Sequence, residues 1–172
     1  MKTSLSILIP CVVMLVSYYF YPENQLEDGV RADHIKVEKS LRKMTLFFKG
    51  KELACYTISL GGPPPFFNHP KGPKTAEGDY KTPEGNYVID CKKIHSLYHR
   101  SLHINYPNST DKRLSHTGGG ILIHGLNKEK NQFLGKFMRW IDWTKGCIAV
   151  TNSEIEEIYK AVPIGCNIQI LP

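Results

Sequence analysis

From His34 onward, apolar and polar positions alternate in short runs. HIKVEKS (34–40) predicts one strand, and KMTLFFKG and KELACYTISLGG, divided by a Lys49-Gly50 turn, predict a hairpin after it. A long Gly- and Pro-rich loop follows, GGPPPFFNHPKGPKTAEGDYKTPEG (61–85). Further strands are expected at NYVIDCKKI (86–94), SLHINYP (101–107), GGILIHG (119–125), a short run closed by Val150, and CNIQIL (166–171). Two segments have helical spacing. Asn127–Ile141 carries Phe133, Leu134, Phe137 and Trp140. The second opens with the capping-box spacing Thr151-x-x-Glu154, carries Ile155, Ile158, Tyr159 and Val162 as one apolar stripe, and stops at Pro163 and Gly165. Short strands at short spacing, with one or two helices packed outside, predict a mainly β domain, a β-sandwich or barrel.

The first residues follow a different pattern. After Lys2, no charge occurs from Leu5 to Tyr21. That is just long enough for a membrane span, for which about 17 to 25 residues are needed. No small-x-small cleavage site appears, and the first alanine, Ala32, lies beyond Glu23, Glu27 and Asp28. The expected organisation is therefore an uncleaved signal-anchor over 1–22, a linker over 23–33 and one folded domain over 34–172. Lys2 on the inside places that domain outside the cytoplasm.

Composition changes this picture little. Lys and Arg number 22 against 16 Asp and Glu; without Lys2 the exported part carries 21 − 16 = +5. The cations are scattered, without stripe or block, so nucleic acid is excluded as a partner. What remains is a solvated basic surface, or a weak attraction to an anionic envelope polymer.

Cysteine and histidine bring candidate chemistry. Cys147, in DWTKGCIAV (142–150), follows a glycine and opens a strand; His124 closes the strand GGILIHG. Two strand ends on a sheet can bring imidazole and thiol together, and a nearby imidazole can take a thiol's proton. The competing reading is a structural histidine and a core thiol. HSLYHRSLH offers His95, His99 and His103 at helical spacing for a metal, but alternation from Ser101 reads as strand, which breaks that geometry. If Cys147 stays a thiol, at most one disulfide can form among Cys55, Cys91 and Cys166, with the pairing open. GDYKTPEGNY (78–87) and INYPNSTD (104–111) read as loops, the first ending in a Pro83–Gly85 turn.

Taken together and in order, KGPKTAEGDYKTPEGNYVI, SLHINYPNSTD, GGILIHG, DWTKGCIAVTNSEIEEIY and IGCNIQILP resemble the L,D-transpeptidase catalytic domain (YkuD) family, from about Ile35 to Pro172. The resemblance implies that Cys147 is the nucleophile and His124 its base. It implies that the carbonyl at Gly125 orients the imidazole. Thr144 and Gly146 match the family's Ser/Thr-His-Gly-Cys motif, and backbone N–H groups around Gly146 and Cys147 would form the oxyanion hole. Lys145, Tyr106 and His103 become candidate substrate contacts. Three departures stand out: Lys145 replaces the motif histidine, Ala149 stands where arginine is common, and the spacer from His124 to Thr144 is long. The implied activity is acylation of Cys147 by a peptidoglycan tetrapeptide stem, release of D-alanine and transfer to an amine. The alternative is a hydrolase of the same fold, an L,D-carboxypeptidase or an amidase releasing a wall-bound lipoprotein. The implied partners are stem peptides, a wall-linked lipoprotein and the inner membrane, in a periplasmic setting with neither metal nor organic cofactor.

Overall fold

The computed structural model describes residues 2–20, 26–63, 70–126 and 135–172. Helix α1 (Lys2–Phe20) precedes strands β1 (His34–Glu38), β2 (Lys43–Phe48), β3 (Lys51–Thr57), β4 (Gly85–Ser96) and β5 (His99–Ile104). Then come α2 (Ser109–Arg113), β6 (Leu122–His124), β7 (Ile148–Ala149), α3 (Asn152–Ala161) and β8 (Asn167–Leu171). The strands form one eight-stranded sheet in the order β3-β2-β1-β8-β4-β5-β6-β7. β1 and β8 run parallel, as do β6 and β7, and every other neighbour is antiparallel.

The mainly β class therefore holds, and the expected sandwich takes the form of one continuous, curled sheet. Just beyond β3, Ser59 exchanges two backbone hydrogen bonds with Ala149 of β7, 2.9 and 2.8 Å, which ties the two edge strands together. Alternation explains the burial: Ile35 and Val37 of β1 and Ile168 and Ile170 of β8 all point into the core. β4 serves two partners. Gly85–Val88 pair with β8; from Ile89 the strand pairs with β5, with a register shift between Ile89 and Cys91.

Helix α3 forms as its sequence predicts. Thr151 accepts from the Glu154 N–H (3.3 Å), and Glu154 accepts from the Thr151 N–H (2.9 Å). Ile155 and Ile158 are buried, and Val162 is the C-cap.

Several expectations change. Of the helix expected over 127–141, residues 135–140 form a 3-10 turn; Phe133 and Leu134 lie outside the described residues. INYPNSTD is not all loop. Asn108 and Asp111 form a reciprocal capping box, an Asn-x-x-Asp signal, and start α2. The expected anchor is helical to Phe20, with Pro10 inside. Among the described residues no helix is long and apolar enough to cross a membrane. The linker is partly built into the body: the Ala32 N–H donates to Ala161 O (2.9 Å) and the Leu26 N–H to Glu157 Oε2 (3.0 Å).

Candidate active site

β6 ends at His124, which pairs with Ser101 on one side and Ala149 on the other. Its ring is 1% exposed. Tyr98, from the β4–β5 turn, stacks on it at 4.4 Å, and Trp143 meets it edge-on at 5.7 Å. Nδ1 lies 2.6 Å from Gly125 O. A carbonyl can only accept, so Nδ1 carries the proton and Nε2 keeps its lone pair. Burial pushes the imidazole down to about 4, the Gly125 hydrogen bond opposing, so the ring is neutral at physiological pH. Glycine at 125 has a steric cause. A Cβ there would meet Asn152 Oδ1 at 2.6 Å and Ile155 Cγ2 at 2.9 Å, where the start of α3 clasps the turn.

Cys147 immediately precedes β7, which runs parallel to β6. Ile123 faces Ile148 and His124 faces Ala149, so the thiol, two residues before Ala149, sits diagonally from the imidazole. Diagonal neighbours on a sheet lie about 7–8 Å apart at the backbone, within reach of side chains. The side chain is half-buried, with Sγ 3.7 Å from Gly120 O. Burial pushes the thiol up, while a backbone hydrogen bond from Leu122 and the charge of Lys74 pull it down.

Four contacts hold the nucleophile turn. Thr144 Oγ1 donates to Cys147 O (2.7 Å) and accepts from the Gly146 N–H (3.1 Å). Asp142, fully buried, accepts from the Leu60 N–H (2.8 Å) and pairs with Arg42 (2.7 Å). Gly146 has φ +116°, and a Cβ on it would lie 2.5 Å from Lys81 O. The GDYKTPEG loop thus packs directly on the turn that carries the thiol. That loop is stapled from inside. Although burial alone would raise it, Asp79 is held down to about 2 by Lys74 and the N–H groups of Lys81, Thr75 and Ala76. Lys39, buried, donates to Gly72 O, Thr82 O and Glu84.

The structure sorts the other candidates. Tyr106 is 2% exposed and donates to Lys74 O (3.0 Å), so its hydroxyl supports the Lys74 loop. His103 is half-buried, with Nδ1 2.6 Å from Asp90. Lys145 is exposed, and the cation that acts on the thiol is Lys74. The Gly146 N–H, expected in the oxyanion hole, is taken by Thr144. His99 and His103 lie on one strand, four residues and so roughly 13 Å apart, and pair with different carboxylates, Glu156 and Asp90. Among the described residues no disulfide forms and no side-chain group suits a metal.

Sequence reasoning missed Lys74, Tyr98, Asp142 and Trp143. Asp142 and Trp143 adjoin the Cys147 motif, but nothing in the spacing distinguishes Lys74 from the other lysines. Alkylation of Cys147 followed against pH checks its role: the midpoint should rise in Lys74→Met, hold in Lys74→Arg and stay unchanged in Lys145→Ala.

Comparison with known proteins adds to this geometry. Residues 32–170 match the family described as YkuD, L,D-transpeptidase catalytic domain. YafK of Escherichia coli K12, provisionally named an L,D-transpeptidase, is 32% identical over 136 residues, 75% of this chain and 46% of YafK. The chain thus spans about half the length of the curated relatives it matches. Among solved structures, the helical cell shape determining protein Pgp2 from Campylobacter jejuni superposes with a TM-score of 0.62 at 23% identity, covering 87% of this chain and 51% of Pgp2. L,D-transpeptidase 1 of Mycobacterium tuberculosis gives 0.50 at 16% identity, covering 82% and 62%. At these identities the structures share the fold.

Proposed function

The chain belongs to the L,D-transpeptidase catalytic domain family, and we propose that it is a peptidoglycan L,D-transpeptidase whose nucleophile is Cys147. The observation that carries this reading is the buried His124, held by Gly125 O with Nε2 unprotonated, diagonal to a thiol immediately before the next strand.

With the imidazole low and the thiol high, the resting pair is neutral. The thiol proton passes to His124 Nε2 as sulfur attacks the carbonyl of the third stem residue, meso-diaminopimelate. Thr144 occupies the Gly146 N–H, so the oxyanion donor in this reading is the Cys147 N–H; one such donor is worth about 3 kcal/mol. The C–N bond then breaks, Nε2 returns the proton to the departing D-alanine, and a thioester remains. An amine attacks it, loses its proton to His124 and restores the thiol. That amine comes from a second stem, a free D-amino acid or a lipoprotein lysine. This substrate puts the domain outside the cytoplasm, and the apolar α1 would then serve export or tethering.

Mass spectrometry of tetrapeptide muropeptides incubated with the full chain tests the reading. New cross-links are expected; hydrolysis alone would give the related carboxypeptidase instead. Acylation should be level from about pH 5 to 7 and fall below about pH 4, because only the unprotonated imidazole is a base. An acid limb centred near 6.5, the ordinary imidazole value, would mean the ring is solvated during turnover.

A further inference from the structure

We propose that a polar cavity beside His103 binds the ammonium-and-carboxylate head of an α-amino acid. The cavity measures about 470 Å³, and its lining includes Asp90, His103, Asn105, Asn108, Ser109 and Lys112.

Its construction begins in β4. Ile89 pairs with Ile104 and Cys91 with His103, so Asp90 is the extra residue of a bulge. Bulges redirect side chains, often beside active sites. Here the carboxylate turns to His103, and its Oδ1 lies 2.6 Å from Nδ1. An ionised carboxylate only accepts, so Nδ1–H donates and the ring is fixed, leaving Asp90 Oδ2 for a ligand. The opposite wall is α2, set by its capping box. Lys112, in the last turn of α2, is exposed and makes no ion pair among the described residues.

The charges select the ligand. A simple anion would be repelled by Asp90, and a simple cation by Lys112. A zwitterionic head satisfies both, its ammonium at Asp90 and its carboxylate at Lys112, with Asn105 as a neutral polar wall.

Position ties the cavity to the thiol. His103 faces Leu122 across β5 and β6, and Leu122 precedes Ile123, the partner of Ile148; Cys147 is next in that row. Two strand spacings of about 4.8 Å separate His103 from Cys147, roughly 10 Å on one face. A long side chain whose backbone carbonyl lies at the thiol covers that distance. This step rests on the transpeptidase reading, which supplies two sources of the head: the far end of the donor's diaminopimelate side chain, or a free D-amino acid acceptor.

The test has a binding arm and a kinetic arm. In full-length Cys147→Ala protein, meso-diaminopimelate should shift the NMR signals of His103 and Asn105, and Asp90→Asn or Lys112→Ala should remove the shift. This arm reads the cavity even if the chain transfers nothing. In the active enzyme, Lys112→Ala should raise the donor KM about tenfold with kcat held within about twofold. A donor whose side-chain carboxylate is amidated should be indifferent to that change. If only the KM for D-methionine as acceptor rises, the head belongs to the acceptor. Absence of binding in the Cys147→Ala protein, with donor and acceptor KM unchanged in both variants, overturns the proposal.

Discussion

Replacing Cys147 with alanine should abolish the thioester that the wild-type chain forms with a tetrapeptide muropeptide in the absence of an acceptor. The variant should still fold, because the side chain is half-buried and small and its loss costs little packing. His124→Ala should still form the adduct, slower by about 10²- to 10⁴-fold, the usual worth of a positioned general base. The thiol then has no proton acceptor, and burial holds it above its ordinary value. Intact-mass measurement after a timed incubation separates the two variants. The other sulfurs give the contrast. Cys166 is buried and its thiol is pushed up to about 11, while Cys91 is exposed and lies opposite His103, whose Nδ1 is held by Asp90. An adduct mapped to Cys55, Cys91 or Cys166 would assign the chemistry to the wrong strand.

Gly146→Ala should damage both stability and activity. At φ +116° a side chain is already strained, and its Cβ would lie 2.5 Å from Lys81 O in the stapled loop. Backbone strain of this kind costs about 1–3 kcal/mol, and the collision adds to it. A total near 3 kcal/mol would lower Tm by roughly 6–12 °C in a chain of this size. Gly165→Ala provides the control. Its φ is +86°, but nothing lies within 4 Å of an added Cβ, so it carries strain without collision. Calorimetry on the pair should show a clearly smaller loss for Gly165→Ala, and only Gly146→Ala should slow Cys147 alkylation. Equal losses would mean that the loop yields to the methyl group.

Local sequence specified the strands and α3 well, because period-two alternation and the Thr151–Glu154 box act within a few residues. His124 and Cys147 stood out for a related reason, since each ends or opens a strand beside a glycine, but only the resemblance to a family gave them roles. The rest depends on distant partners. Lys74 has meaning only beside Asp79 and the thiol, Tyr106 is committed to the Lys74 carbonyl, and the Gly146 N–H is occupied by a hydroxyl across a turn. Lys145 shows the limit most clearly. Alternation would put it beside the thiol, but the positive φ at Gly146 breaks the alternation and Lys145 lies exposed.

β8 follows every other strand in the chain yet lies fourth in the sheet, between β1 and β4. A chain that emerges N-terminus first, from the ribosome or during export, therefore carries the β1–β3 meander and the β4–β7 half with their facing edges unpaired until residues 167–171 emerge. Such edges invite pairing with other chains, and pairings this distant in sequence form slowly. Vectorial emergence thus completes the scaffold beneath the thiol last. The partial product is an aggregation risk to be shielded, and the chemistry stays silent until the sheet is joined.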